Sequence, residues 1–305
     1  MGGHALRIAT RSSPLALIQA ELVAGLLRNA HPDLDVTTVP LVTEGDRRTD
    51  VPLSELGGKG VFATEVQAAV ISGWADVAVH SAKDLPALTP PELVIGAVPE
   101  RTEARDALIG GALSTLPTGA VVATGSRRRQ VQLAHLRGDL RFVDLRGNMA
   151  TRLDQVGRDG VAAVVVAVAA LDRLGWQERL GANESEVLSV TDMVPQVGQG
   201  ALAVECRADD ATTRGLLADV EHGPTRRCVD AERAFLCELG GDCDLPAGAH
   251  AGIDGAGLRI RAVLAPGEWP THPVPIARVE LSGTDPVALG RSAAIDLRSA
   301  LGELA

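Results

Sequence analysis

Short apolar runs rich in β-branched residues alternate with stretches of helical periodicity through the first two thirds of the chain. This is the pattern of βα units that build largely parallel sheets. A strand is predicted over 6–10, Ser13 and Pro14 supply an N-cap and a first helical residue, and Leu15, Ile18, Leu22 and Leu26 then share one helical face. The order repeats with a strand over 36–42, a polar Gly-containing connection over 43–60, a helix over 61–71 and a strand over 75–80. After a break at Pro86 to Pro91, further strands are predicted at 93–98, 107–109, 119–124, 141–145 and 161–166, with helices from about Ser126 and over 149–156. Residues 194–207 read as a crossover and a strand that returns to the first domain. From about Asp219 the pattern changes to a helix (226–239), a hairpin turning at Asp254-Gly255, a strand (279–281) and a closing helix (285–304). That grammar suits a small α+β domain.

At ~100–200 residues per domain, 305 residues predict two or three domains, and the changes of pattern place them at 1–96 with 196–214, at 97–195 and at 219–305. With 46% hydrophobic and 22% charged residues the chain can bury real cores. Its net charge of −10, the absence of Tyr and the presence of only three Phe and three Trp argue against a protein that coats DNA or RNA. The first eleven residues carry Arg7 and Arg11 and no secretory apolar core. The longest apolar run, Val161 to Leu171, has 11 residues, about half of the ~20 that span a bilayer, and predicts a buried strand running into a helix. Four cysteines without C-x-x-C spacing predict reduced thiols and a cytoplasmic protein. No Cys/His set has metal-ligand spacing, so no metal is expected, and no phosphate-loop or G-x-S-x-G motif occurs.

Charge is unevenly spread. Between Ser126 and Arg152 lie seven arginines and two aspartates, a local +5. Arg128, Arg129, Arg146 and Arg173 follow predicted strands, as Arg11 and Ser13 do in the first domain, where an open parallel sheet forms its ligand crevice. Guanidinium forks match carboxylates, so such a crevice suits a small ligand with several carboxylates or phosphates. The same run read alone fits a solvated helix face. Lys83 and Asp84 stand at another strand end; Asp84 is a candidate to stabilise cations, or an ordinary cap paired with a surface lysine. Cys243 lies in a Gly-Pro-rich loop where a thiol can serve as an attachment point, or be incidental, whereas Cys237, within a helix, reads as packing and His80 as a satisfied strand-end histidine.

Eight runs in order, RIATRSSPLALIQAE, LGGKGVFATE, VHSAKDLP, GSRRRQVQLAHL, DLRGNMATRL, AALDRLG, VPQVGQGALAVECR and ERAFLCELGGDC, resemble the porphobilinogen deaminase (hydroxymethylbilane synthase) family over nearly the whole chain. The resemblance implies an α/β fold with two periplasmic-binding-protein-like lobes of mainly parallel sheet and a small α+β third domain. It implies a dipyrromethane cofactor joined to Cys243 by a thioether, and a monomer that polymerises four porphobilinogen molecules head to tail. By the same resemblance Asp84 is catalytic; Ser13, Lys83, Arg128, Arg129 and Arg146 hold the cofactor. Arg11, Ser13, Lys59, Phe62, Arg146, Arg152 and Arg173 hold substrate, under a lid formed by residues 43–60. Two positions depart from the family. Glu55 stands where bacterial relatives commonly have a lid lysine, and Asp242 precedes the cysteine in place of a small residue, where a carboxylate disfavours thiolate. Two other classes compete. A two-lobed solute-binding protein for a dicarboxylate would share the architecture without needing Asp84 or Cys243. A nucleic-acid-binding module would use the 126–152 stretch, where Phe142 is the only aromatic.

Overall fold

The structure is a computed structural model that describes residues 5–43, 63–180, 184–240, 245–267 and 274–304. In chain order the elements are β1 (Ala5–Arg11), α1 (Pro14–Ala30), β2 (Asp35–Leu41), α2 (Thr64–Ile71), β3 (Val77–Ser81) and β4 (Leu93–Ala97). There follow β5 (Asp106–Ile109), β6 (Val121–Ala123), α3 (Arg127–Leu136), β7 (Arg141–Val143), α4 (Met149–Leu153), β8 (Val161–Ala167), α5 (Val168–Arg173) and β9 (Ser185–Val187). The chain continues with β10 (Leu202–Arg207), α6 (Ala211–Ala218) and α7 (Gly223–Glu238), and closes with β11 (Ala247–Asp254), β12 (Gly257–Leu264), β13 (Ala277–Gly283) and α8 (Pro286–Leu304).

Two compact units result, Met1–Thr102 with Ala201–Val229, and Glu103–Gly200 with Asp230–Ala305. The first is built on a five-stranded sheet of order β2-β1-β3-β10-β4. Strands β2, β1 and β3 pair in parallel, and β10 runs antiparallel between β3 and β4. The returning 194–207 segment thus supplies a strand to the first sheet. Successive β1 residues alternate between its faces. Leu6 and Ile8 pack with Ala20, Val23, Ala24 and Leu27 of α1, while Ala9 packs with Val66, Ala69 and Val70 of α2. Ser13 begins α1 as expected, its backbone extended and its Oγ accepting from Ala16 N at 3.3 Å with Pro14 behind it, an arrangement worth about 1 kcal/mol.

The second unit repeats the order in another five-stranded sheet, β7-β6-β8-β5-β9. Here β7, β6 and β8 are parallel, and β5 is antiparallel between β8 and β9. Four of five strands in each sheet therefore share a direction; the reversed one is the first strand formed after the chain passes at 102/103 or at 200/201. Val161–Ala167 is buried on both faces, with Val164 and Val166 in one core cluster and Ala163 and Val165 in the other, and it runs directly into α5. The long apolar run is the strand and helix its length predicts. The same unit holds an antiparallel sheet, β11-β12-β13, and α8, which packs on β12 and β13.

Local differences from the sequence reading have local causes. The hairpin closes on the Asp254–Gly257 pair, so its two-residue turn is Gly255-Ala256, one position later than expected, with Gly255 in the left-handed region (φ 58°). Helix α6, capped by Asp210, and the short β9 are elements that periodicity missed. Cys237 is exposed: Ala231, Phe235 and Leu239 are the buried stripe of α7 and the sequence after it, and Cys237 falls off that stripe. The expectation that it packs inside is corrected accordingly.

Helix α8 meets α7 at Gly290, where an added Cβ would collide with the Ala231 carbonyl oxygen and stand 2.8 Å from Phe235 N. Gly290→Ala is expected to lower the unfolding free energy by about 1–3 kcal/mol of overpacking, seen as a lower urea midpoint, in place of the ~1 kcal/mol gain that alanine brings to an open helix. An unchanged or raised midpoint would show that the helices separate without cost.

Candidate functional site

In the first unit the carboxyl edge of the sheet collects the candidate residues. Ile8 and Ala9 of β1 lie opposite Val77 and Ala78 of β3, so Arg11 is level with His80, and the chain leaves both strands at one edge. Ser13 follows β1 and begins α1. Lys83 and Asp84 form a single 3₁₀ turn after β3, half-buried, with the turn tied to β10 by Ala82 N donating to Ala201 O at 3.0 Å. Beneath it His80 is buried, its Nε2 3.1 Å from a carboxylate oxygen of fully buried Glu205, which also accepts from Gln67 Nε2 at 2.9 Å. His80 is thus packed inside at the strand end, but among the described residues its Nε2 has the ion-pair contact without a well-formed hydrogen bond, so the expectation of a satisfied histidine is corrected. Lys59, Phe62 and Glu55 lie outside the described residues.

The second unit gathers its arginines at the equivalent edge, because β7, β6 and β8 are adjacent and parallel. Arg128 and Arg129 occupy the first turn of α3 after β6, Arg146 follows β7, Arg152 lies in the last turn of α4, and Arg173 ends the helix that continues β8. The run Arg127 to Arg129 is not a solvated face. Arg127 is exposed, but Arg128 and Arg129 are only 3% and 7% accessible. They converge on Asp106, the first residue of β5, with no exposed surface. Arg128 Nη2 donates to its Oδ2 and Arg129 Nη2 to its Oδ1, both at 2.7 Å, and Gln199 Nε2 adds a bond to Oδ1 at 2.9 Å. The other Nη atoms donate to backbone, Arg128 to Val194 O at 2.7 Å and Arg129 to Val165 O at 2.8 Å. Burial alone would raise the Asp106 pKa, but attraction to the two guanidinium groups and their hydrogen bonds outweigh it and hold the carboxyl well below the usual range. Burial lowers the Arg128 pKa, and Asp106 opposes that shift. Sequence reading missed Asp106; its signal was a carboxylate heading a four-residue apolar strand.

The remaining arginines are held less deeply. Arg146 Nε stands 3.5 Å from Asp144, Arg152 Nε donates to Gly147 O at 2.8 Å, and Arg173 Nη2 donates to Gly200 O at 2.8 Å. Burial pushes the Arg173 guanidinium down to about 10, against the nearby Asp172, so it stays charged at neutral pH. At the start of α3, Ser126 makes no side-chain capping bond, and Ser126 and Arg128 line a small recess with Phe235, Leu245 and Ala247. The Nε atoms of Arg128 and Arg129 are buried without a hydrogen-bond partner among the described residues. An uncapped helix start and buried guanidinium donors both favour negative charge in their neighbourhood. Cys243, two residues before Leu245, lies outside the described residues, as does Asp242. Among the described residues no group of His, Cys, Asp and Glu could hold a metal ion.

Comparison with known sequences finds two families along the chain. "Porphobilinogen deaminase, dipyromethane cofactor binding domain" matches residues 6–215 and "Porphobilinogen deaminase, C-terminal domain" matches residues 226–299. Among similar proteins, one named porphobilinogen deaminase from Desulfitobacterium hafniense is 42% identical over 98% of this chain and 95% of its own. Those of that name from Xanthomonas oryzae pv. oryzae and Syntrophotalea carbinolica are 47% and 46% identical, covering 85% of both chains and 83% and 80% respectively. A probable amino-acid ABC transporter extracellular-binding protein from Bacillus subtilis aligns with a TM-score of 0.42 at 9% identity, over 71% of this chain and 90% of its own, and carries no weight beside the sequence relatives.

The depressed Asp106 pKa has a sign that can be measured. Its stabilising contribution is fully present above the ordinary carboxylate pKa and is lost as pH falls from there toward the folded value. Near pH 3 an unfolded Asp is mostly protonated and folded Asp106 is not, so unfolding takes up about one proton here, a slope of about 1.4 kcal/mol per pH unit. Because that slope is reached only at the acid end, wild-type protein should lose about 1 kcal/mol more than Asp106→Asn in urea unfolding between pH 5 and 3; equal losses would show that Asp106 titrates normally.

Proposed function

The chain belongs to the porphobilinogen deaminase family, and from that premise we propose that residues at its two sheet edges carry out the family's reaction on a dipyrromethane joined to Cys243 by a thioether. The reaction is that of a hydroxymethylbilane synthase in tetrapyrrole biosynthesis, joining four porphobilinogen molecules head to tail. The observation that carries the reading is the match of both family regions across 6–215 and 226–299. The recess of Ser126, Arg128 and Leu245 supports a fit to the cofactor, since it brings an uncapped helix start and buried guanidinium donors beside the chain that leads from Cys243. When bound, the dipyrromethane supplies a free pyrrole α-carbon as the nucleophile to which the first unit is joined.

In this reading Asp84 accepts hydrogen bonds from pyrrole N–H groups of the substrate. Its charge stabilises the cation that develops as the aminomethyl C–N bond breaks and ammonia leaves. Lys83, Arg11 and Ser13 hold acetate and propionate groups on the first sheet's edge, and by the family resemblance Lys59 and Phe62, outside the described residues, also serve the substrate. Arg128, Arg129, Arg146, Arg152 and Arg173 serve the same carboxylates on the second. Each porphobilinogen brings two carboxylates, so a growing chain needs many cations, and the cations gathered at two strand edges meet that need. The proposal includes three domains, 1–96 with 196–214, 97–195 and 219–305. It also includes a cytoplasmic monomer that engages neither nucleic acid nor a membrane surface. Among the described residues no helix is long and apolar enough to cross a membrane. A solute-binding protein for a dicarboxylate is not favoured, because the matched families are those of the deaminase.

Intact mass spectrometry tests the reading directly. The protein should carry the added mass of one dipyrromethane, absent in Cys243→Ser, and should gain further one-pyrrole increments with porphobilinogen. An unmodified chain that forms no bilane would overturn it. Asp84→Ala should lose at least about 100-fold in turnover with its thermal transition unchanged; wild-type turnover would remove Asp84 from the chemistry.

A further inference from the structure

Asp106 has no assigned part in this chemistry, yet it is a firmly anchored carboxylate. Three side chains converge on it, Arg128, Arg129 and Gln199, and it has no exposed surface. The arginines are fixed from behind. Gln132, fully buried on α3, bonds Val194 through both its amide groups, accepting from Val194 N at 2.8 Å and donating to Val194 O at 3.1 Å, and that same carbonyl receives Arg128 Nη1. Gly248 of β11 keeps the other side of Arg128 narrow, since a Cβ there would stand 3.0 Å from Arg128 Cδ and 2.8 Å from Val194 O. The guanidinium groups therefore have little freedom to turn away from one another.

Two guanidinium charges buried together repel, and each costs hydration that nothing but an anion replaces. Asp106 cancels one of the two charges and engages one Nη of each fork, while backbone carbonyls take the other Nη. What remains is one net positive charge and the two buried Nε–H donors without partners among the described residues. Both remainders are costs that one carboxylate relieves and a second would not.

We propose that Asp106 is an internal counter-ion that sets the carboxylate capacity of the Arg128–Arg129 site at one, holding the pair in place and leaving charge and donors for a single carboxylate of the bound oligopyrrole. Asp106 is a positioning residue, acting through the arginines. The proposal rests on the reading above that these arginines face pyrrole carboxylates. Replacing the carboxylate by the isosteric amide in Asp106→Asn turns the site from a net +1 to a net +2. A residue with only a packing role would lower stability equally in any salt, whereas a counter-ion can be replaced in part by an external carboxylate.

The test uses full-length Cys243→Ser protein, with melting temperatures measured at pH 7 in sodium chloride and in sodium acetate of equal ionic strength. The parent, which keeps one net positive charge, should gain a little in acetate, and that gain is the baseline against which the variants are read. Asp106→Asn should melt roughly 10 °C lower in chloride and regain a substantial part of that loss in acetate. Asp106→Glu, which restores the charge, should show no extra gain from acetate. The double variant Asp106→Asn/Arg129→Gln, which returns the net charge to +1, should be more stable than Asp106→Asn alone, and this comparison carries the test if the single variant does not fold in chloride. Equal losses in the two salts, or a double variant no more stable than the single, would overturn the proposal. The mass of the wild-type protein is read separately: a missing dipyrromethane would overturn the functional reading while leaving the acetate result to stand or fall by itself.

Discussion

A carboxylate shared by two arginines inside the second unit is the constraint on which its other features depend. Breaking a buried pair by removing one partner costs about 3–5 kcal/mol, because the remaining charge has no water to return to. Asp106 therefore fixes three segments at once, the start of β5, the first turn of α3 and, through Gln199, the chain just before Ala201. The same contacts explain why Arg128 and Arg129 are rigid and hidden while Arg127, one residue earlier, is exposed. The helix start that carries them has no side-chain cap from Ser126, and Ser126 and Arg128 line a recess with Leu245.

The first unit achieves a comparable end by register. Parallel pairing of β1 with β3 makes two loops leave the sheet at one edge, and each loop carries short, conformationally defined residues, a serine N-cap and a one-turn helix holding Lys83 and Asp84. Short turns anchored to strands hold charged groups with little entropy left to lose. The buried His80–Glu205–Gln67 cluster lies one strand residue below that turn, with the Gln67 amide donating to the Glu205 carboxylate and His80 beside it as an ion-pair partner.

Several features were legible from residue order because they depend on near neighbours. The Ser13-Pro14 start of α1, the strand-to-helix passage at Val161 to Leu171 and the position of arginines after strands all arise from local capping, apolar periodicity and chain continuity. Asp106 was not legible, since its partners are 22 and 23 residues away on a helix, and the apolar letters around it are those of any buried strand. Cys237 was misread for the complementary reason: being within a helix says nothing about which face is buried until its neighbours α8 and β11 are in place. The short α6 escaped because a helix of eight residues offers too few turns for periodicity to stand out.

The sequence by itself determined the α/β alternation, the late change to an antiparallel sheet, the concentration of arginines at strand ends and, through eight ordered motifs, the family, since each is written in residue types at short range or in their linear order. Only the tertiary structure decided which strand of each sheet runs backwards, that residues 230–305 pack into one unit with 103–200, and that two of the arginines spend their Nη donors on Asp106 and the backbone. Those outcomes depend on contacts between residues far apart in the chain, where burial removes water and makes the choice of partner, rather than the identity of the residue, fix its electrostatic role.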